Sequence, residues 1–243
     1  MITHILQDIV SHTTVIDTPH IKVINTDDTT TLEARSTNNH VVMFATVKEK
    51  VPGFYGTFGM PNLEILATHL KCPEYAENAK IELRDKTSDG VTLPGTLHFE
   101  NEAGNFFNDY QFMNTTLINE ALPSLDFVGA SWHLEFEPLA SSILRLKYQS
   151  MGTPNALTFR FHAKGGDLLC TFGDGSSHSG EFVFQEGVGK SLKYSLDFPV
   201  QTVLQILGLV GNKTIQLSDA GIMQIIIDSG ISEYRYLFAV HQK

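Results

Sequence analysis

The stretch YSLDFPVQTVLQILGLVGNKTIQLSDAGIMQI, residues 194–225, changes its hydrophobic period several times. Alternation of apolar and polar side chains in YSLDF predicts a half-buried strand. Pro199 follows, and the apolar residues of PVQTVLQIL then recur every three or four positions, which predicts an amphipathic helix with proline near its first turn. NKTIQLS and IMQII alternate again around a turn at 219–221. Because a helix of about three turns is not stable alone, it must pack on a sheet formed by these strands.

The same two periods recur through the rest of the chain. Alternating segments predict strands at HIKVIN (20–25), HVVMFATV (40–47), HLEFEP (133–138), LTFRFHA (157–163), EFVFQ (181–185), LKYSLDF (192–198), MQIIID (223–228) and YRYLFAV (234–240). Helical spacing predicts further helices in THILQDIVSH (3–12), PNLEILATHLK (61–71) and PLASSILRLKYQ (138–149). In the last of these, the predicted buried stripe is Leu139, Ala140, Ile143 and Leu144. The sequence therefore predicts an α+β protein with antiparallel sheets.

The order of these elements indicates an internal duplication. Helix, strands, helix and strands occur in residues 1–113 and again in 131–243, at an offset near 138–140 positions. At this offset Ile21 corresponds to Phe159, and Phe58 corresponds to Phe198. We expect two similar domains, each with two short helices on antiparallel sheets. Residues 114–130 have no clear period and a central proline, which predicts a connector, although an unusually apolar one.

Composition narrows the class of protein. The chain has 243 residues, of which 42% are hydrophobic and 18% charged, as expected for a globular protein with a full core. A net charge of −10 argues against nucleic-acid binding through overall charge, but it leaves a local basic surface open. Two distant cysteines, Cys72 and Cys170, predict buried free thiols in a reducing compartment. We expect neither a signal peptide nor a membrane span, because no leader pattern and no apolar run of about 18 residues occurs.

Several segments together resemble the DNA sliding clamps, above all the two-domain processivity clamps of tailed bacteriophages and more distantly the eukaryotic and archaeal clamps. KYSLDFPVQTVLQIL (193–207) resembles the clamp segment in which a Tyr-x-Leu strand runs into the last helix. NKTIQLSDAGIMQIIID (212–228) and SEYRYLFAV (232–240) resemble the closing strands, with Gly221 and Met223 at the hairpin. STNNHVVMF (36–44) resembles the loop and strand of the first domain. One departure is that only residues 1–3 precede the first helix, where many clamps begin with a strand.

The resemblance implies a ring with sheets outside and helices around a central hole for double-stranded DNA, bound without sequence specificity. It implies a head-to-tail homotrimer, a DNA polymerase and a clamp loader as partners, no cofactor or metal, and no catalysis. It also implies the cytoplasm of an infected host cell as the location. The residues expected to face DNA are Gln7, Ser11, His69, Lys71, Arg145, Lys147, Gln149, Gln201, Gln205 and Lys213. Ordinary solvated helix faces are the alternative reading of the same residues.

Clamp partners insert a short peptide with apolar anchors into a surface pocket, and the resemblance places that pocket beside the connector and the C-terminal end. The candidate pocket residues are Val41, Met43, Leu117, Leu122, Phe127, Leu237, Ala239 and Val240. The alternative for Val41, Met43 and Leu237 is a plain core position. The apolar connector favours a binding site, because exposed apolar patches often mark one.

Two other classes of function stay open on the sequence. One is a strand-rich viral structural protein of a capsid or tail, built from duplicated sheets. The other is a small-ligand enzyme or carrier on a closed barrel, which is disfavoured because no convergent catalytic set is visible: the histidines are scattered and form no HExxH pattern. The three classes differ in native mass. A clamp would be a trimer, a structural protein would form a large assembly, and a carrier would be a monomer.

Overall fold

The computed structural model describes residues 2–88, 90–125, 127, 129–173, 178–189 and 192–239, with Ser88 described by its backbone alone. The chain divides into two compact units. The first comprises Met1–Asp126 with Ser229–Tyr234, and the second comprises Phe127–Asp228 with Arg235–Lys243. The division after residue 126 falls inside the predicted connector, residues 114–130. The two ends of that connector stay predictions. Every helix in the described residues is too short or too polar to span a bilayer.

The first unit contains helices and antiparallel strands in alternation. Its elements are α1 (Ile2–Thr13), β1 (His20–Asn25), β2 (Thr30–Arg35), β3 (Val41–Val47), β4 (Gly56–Pro61), α2 (Leu63–Leu70), β5 (Lys80–Ser88), β6 (Val91–Glu100), β7 (Phe107–Gln111) and α3 (Thr115–Ala121). The strands lie in the orders β4-β1-β2-β3 and β5-β6-β7.

The second unit repeats this arrangement. Its elements are β8 (Leu134–Phe136), α4 (Ala140–Gly152), β9 (Thr158–Lys164), β10 (Asp167–Phe172), β11 (Gly180–Gln185), β12 (Leu196–Pro199), α5 (Val200–Leu207), β13 (Asn212–Ser218), β14 (Ile222–Asp228) and β15 (Ser232–Ala239). Its strands lie in the orders β11-β10-β9-β12 and β14-β13-β8. Strand β15 contributes its residues up to Tyr234 to the first unit and the others to the second.

Strand order confirms the predicted pair of similar α+β units with antiparallel sheets. The order β4-β1-β2-β3 in the first unit corresponds to the order β12-β9-β10-β11 in the second. Along the chain, α1 precedes the first set of strands and α2 follows it, and α4 and α5 flank the second set in the same way. The ladders also correct the alignment of the halves. Met60 lies opposite Ile21, and Phe198 lies opposite Phe159, so the ladder equivalent of Phe198 is Met60 rather than Phe58.

Burial alternates along the strands as the sequence predicts, and it places one apolar core in each unit. Strand β3 buries Val41, Met43, Ala45 and Val47 and half-exposes Val42 and Phe44. The second unit gathers a cluster of phenylalanine rings at ring-centre distances of 4.9 to 6.2 Å, and its members are Phe159, Phe161, Phe172, Phe184 and Phe198. Edge-to-face pairs in this cluster contribute beyond the burial of their area.

The structure corrects three local predictions. Helix α4 buries Ser142 and Leu146, while Leu139 and Leu144 of the predicted buried stripe are exposed. The predicted strand 192–198 begins only at Leu196. The connector contains helix α3, which the sequence did not predict. A signal for it was present, because Asn114 is a good N-cap residue and its side chain accepts a hydrogen bond from the backbone N–H of Leu117.

The two thiols lie in different environments, which predicts different reactivity. Cys170 in β10 is fully buried, and burial raises its pKa, whereas Cys72 is half-exposed. Since the thiolate is the reactive form, we expect a disulfide reagent to label Cys72 rapidly and Cys170 only after unfolding. Counting labelled thiols in native and urea-treated protein checks this, with Cys72→Ser as the control. Rapid labelling of both thiols in the native protein would contradict it.

Candidate DNA-facing and partner-binding surfaces

The exposed face of α1 is polar and uncharged. Gln7 and Ser11 are exposed, and the Ser11 hydroxyl donates to the backbone carbonyl of Asp8 at 2.9 Å. Ile5, Leu6 and Ile9 occupy the opposite, buried face. Both predicted α1 positions therefore lie on the solvent side of this helix.

A polar cluster fixes how α1 is rotated in the first unit. The Tyr234 hydroxyl donates to Oδ2 of Asp8 at 2.8 Å, and the Ser229 hydroxyl donates to the same oxygen at 3.1 Å. The His12 ring stacks on Tyr234 with ring centres 4.0 Å apart. Together with the buried apolar face, these contacts hold α1 with Gln7 and Ser11 outward.

Helix α2 supplies one exposed cation at its end. Lys71 caps the helix and is exposed. His69 is half-buried, its ring lies 5.3 Å from that of Phe99, and burial lowers its pKa below the ordinary value of 6.5. His69 is therefore neutral at pH 7 and brings no positive charge to this face.

Helix α4 carries two exposed cations, Arg145 and Lys147. The predicted Gln149 differs from them, because it is half-buried and its amide packs against Gly180 at the start of β11. A side-chain Cβ at Gly180 would collide with that amide. Gln149 thus contributes to the packing of α4 on its sheet.

Helix α5 resembles α1 in presenting uncharged amides. Gln201 and Gln205 are exposed, opposite the buried Val203 and Ile206. Lys213, which follows in β13, is half-buried; its Nζ donates to the carbonyl of Gly211 at 2.9 Å, and burial lowers its pKa. Within the predicted DNA-facing set, the exposed cations are Lys71, Arg145 and Lys147.

The predicted pocket residues separate into two groups. Val41, Met43, Leu122 and Leu237 are buried in the structure, which favours the core alternative for Val41, Met43 and Leu237. Leu117, Phe127 and Ala239 are exposed. Val240 lies outside the described residues. The set is therefore not one continuous exposed surface within either unit.

A cavity of about 200 Å³ lies beside Leu117 in the first unit. Leu93, Pro94 and Phe112 contribute apolar lining, and Lys86 brings a positive charge. Leu117, which is 51% exposed, forms part of the wall. The start of α3 is held in place because the Thr115 hydroxyl donates to the carbonyl of Thr57 at 2.6 Å. Leu117 belongs to the predicted pocket set, whereas the β5–β6 side of this cavity was not predicted.

Comparison with solved structures gives extensive matches to PCNA sliding clamps. The structure of A. fulgidus PCNA with the C-terminal region of FEN-1 bound matches with a TM-score of 0.69 and 12% identity, over 99% of this chain and 96% of that chain. PCNA from Thermococcus kodakaraensis matches with a TM-score of 0.66 and 12% identity, over 99% and 97%. No protein-family model and no curated protein matches the sequence. The chain therefore has the PCNA-like sliding-clamp fold.

Proposed function

We propose that this chain is one protomer of a ring-shaped, non-catalytic clamp that encircles duplex DNA and tethers a replicative polymerase. The observation that carries the proposal is the polar, uncharged face that two helices, α1 and α5, both expose in a PCNA-like fold. Gln7 and Ser11 on α1 match Gln201 and Gln205 on α5 in being exposed and uncharged. The phage-type assignment and the cytoplasm of an infected host cell belong to the same proposal.

Weak, uniform contact suits a ring that slides. Phosphate contacts position a protein without reading sequence, so their energy changes little from one base pair to the next. Each neutralised phosphate strengthens binding through counterion release, so few cations leave the ring mobile. Lys71, Arg145 and Lys147 supply such a small set on each protomer. Long residence on DNA then comes from encirclement rather than from affinity.

Ring closure by a homotrimer requires two different surfaces that meet head to tail. Two strands offer open edges with apolar side chains for this contact. Strand β7 is an edge of its sheet and exposes Phe107, and β11 is an edge of its sheet and half-exposes Phe182 and Val183. Pairing β7 of one protomer with β11 of the next would satisfy both open edges. We propose this pair of strands as the protomer interface.

Two measurements test the ring. Native mass spectrometry is expected to give three times the 27.0 kDa chain mass. A carrier would give the mass of a single chain, and a capsid or tail protein would give the mass of a large assembly.

The second measurement tests encirclement. The protein is incubated with linear duplex DNA that carries biotin at both ends, and streptavidin is added after threading. A ring is expected to survive a high-salt wash on capped DNA and to leave uncapped DNA. Equal loss from both would contradict encirclement.

A polymerase-binding prediction follows from the cavity beside Leu117. We propose that this cavity receives an apolar anchor of a partner peptide, and that the clamp loader uses the same site. Leu117→Asp is expected to weaken binding about tenfold or more, because one buried apolar side chain contributes about 1.5 kcal/mol or more. Anisotropy of a labelled C-terminal peptide from the polymerase of the same genome measures this. Leu157→Asp, another exposed leucine, is the matched control. Equal affinity of both variants would contradict the site.

A further inference from the structure

Helix α3 of the connector packs closely on strand β4. Ile118, in the middle of α3, is fully buried, and a Cβ at position 59 would lie 2.8 Å from its Cδ1 atom, so Gly59 leaves the room that α3 needs. The N–H of Gly59 donates to the carbonyl of Met113 at 2.9 Å, and the N–H of Met113 donates back at 2.8 Å. The first half of α3 is therefore held by the strand beside it.

The C-terminal end of α3 is held by a different group, the ammonium of Lys22 in β1. Lys22 is 3% exposed, and it is the one buried lysine or arginine of the described ranges. Its Nζ donates to the carbonyl of Leu122, the residue that caps α3, at 3.4 Å. The same Nζ lies 4.0 Å from Oε2 of Glu33, which is opposite Lys22 in β2. Strand β1 thus presents a buried cation to the end of the connector helix.

His20, two residues before Lys22 in β1, contacts the same end of α3. Alternate residues of a strand share one face, so both side chains point to α3. The His20 ring donates a hydrogen bond to the backbone carbonyl of Ala121, the last residue of the helix. Burial lowers the pKa of His20 below its usual 6.5, so the ring is neutral at pH 7 and donates through one N–H.

These contacts supply what the end of a short helix lacks. The last carbonyls of a helix have no partner within it, and basic side chains can donate to them. Helix α3 has seven residues, too few to be stable alone. Burying an ammonium is costly because it loses its water, whereas an apolar side chain would fill this sheet face without that cost. The charge of Lys22 therefore indicates a role beyond packing, which is to hold the end of α3.

We propose that Lys22 is a positioning residue that keeps α3 docked on the first unit, and that the docked form is the one to which a partner peptide binds. The proposal rests on the proposed function, because Leu117 of α3 forms part of the wall of the proposed peptide cavity. Lys22 and the peptide then favour the same state of α3. Opening of the end of α3 and binding of the peptide exclude each other, and this linkage is measurable.

A paired substitution removes the contact without leaving a lone buried charge. The pair variant is Lys22→Met with Glu33→Gln, because loss of one partner alone would strand the other in the interior. Hydrogen exchange is resolved to single amides, and the reporter is the N–H of Leu122, which donates to the carbonyl of Ile118 at 2.8 Å. We expect this amide to exchange about tenfold faster in the pair variant, as for the loss of one charge-assisted hydrogen bond.

Two controls separate positioning from general stability. The N–H of Met113, before the other end of α3, is expected to exchange at the wild-type rate in the pair variant. Lys80→Met with Glu82→Gln makes the same substitutions in an exposed ion pair of the same unit, whose Nζ–Oε2 distance is 3.0 Å. This control variant is expected to leave the exchange of both amides unchanged.

The link to the partner is tested with the polymerase peptide used for anisotropy. At a peptide concentration of about 100 times Kd, exchange of the Leu122 amide is expected to slow by up to about a hundredfold. Wild-type exchange of Leu122 in the pair variant, equal acceleration of Met113, or no slowing by bound peptide would overturn the proposal. If wild-type protein does not bind the peptide, the proposed peptide site fails, and faster exchange of Leu122 in the pair variant still establishes that Lys22 holds α3.

Discussion

Gln111→Pro is expected to turn the proposed trimer into a monomer while each protomer stays folded. Gln111 ends strand β7, the edge strand that we propose as one half of the protomer interface. Proline removes a backbone N–H and is tolerated only where that N–H is not used within the sheet. The expected result therefore depends on the direction in which the Gln111 N–H points.

Hydrogen bonds at the two ends of the β6–β7 ladder give that direction. The N–H of Phe112 donates to the carbonyl of Gly95 at 2.9 Å, and the N–H of Asn101 donates to the carbonyl of Phe106 at 2.9 Å. Hydrogen-bonded and non-hydrogen-bonded pairs alternate along an antiparallel ladder. The N–H and carbonyl of Gln111, one residue from Phe112, therefore point away from β6 toward the open edge.

Light scattering on a sizing column measures the mass of this variant, and the end-capped DNA assay measures its retention. Gln111→Ala is the matched control: both changes remove the Gln111 side chain, whose Oε1 accepts from the Thr96 hydroxyl, but alanine keeps the N–H. We expect a trimer for the alanine variant and a monomer without retention on DNA for the proline variant. A trimeric proline variant with native circular dichroism would contradict the use of β7 in the interface.

How far the sequence predicted the fold depended on how regular each segment is. Strands such as β9 alternate buried Phe159 and Phe161 with exposed Thr158 and Arg160, so their period identified them correctly. Helix α4 was located correctly, but its buried side was predicted wrongly. Apolar spacing alone favoured Leu139 and Leu144, whereas the structure buries Ser142 and Leu146. The error arose because we assumed that apolar side chains on a helix point to its own core.

The candidate site was less predictable because it depends on contacts between distant residues. Apolar spacing alone predicted correctly that Gln7 and Ser11 are exposed, but the contact of Asp8 with Tyr234 and Ser229, more than 200 positions away, is shown by no local pattern. The half-buried position of Gln149 likewise follows from its packing on Gly180. The cavity beside Leu117 needs the β5–β6 hairpin as well as the connector. Local periodicity can identify each element but not the neighbours that give a side chain its role.

Phe161→Ala is expected to cost about 3 to 5 kcal/mol of the free energy of unfolding, the range for removing a buried aromatic ring. Phe161 is 1% exposed, and its ring centre lies 4.9 Å from that of Phe159 and 5.0 Å from that of Phe184. It also lies 6.2 Å from Phe198, the strand residue shortly before α5. Loss of this ring leaves a cavity between the strands that support Gln201 and Gln205.

Urea unfolding at one fixed protein concentration measures this loss, because assembly adds concentration-dependent stability. Tyr148→Ala is the matched control, since it removes an aromatic ring from the exposed face of α4 and is expected to change the free energy of unfolding by at most about 0.5 kcal/mol. The pair separates the two environments of aromatic rings in the second unit: Phe161 lies in the core, and Tyr148 lies on an exposed helix face. A loss below about 1 kcal/mol for Phe161→Ala would contradict the ring cluster as the core of this unit, because a well-packed interior cannot close over so large a gap.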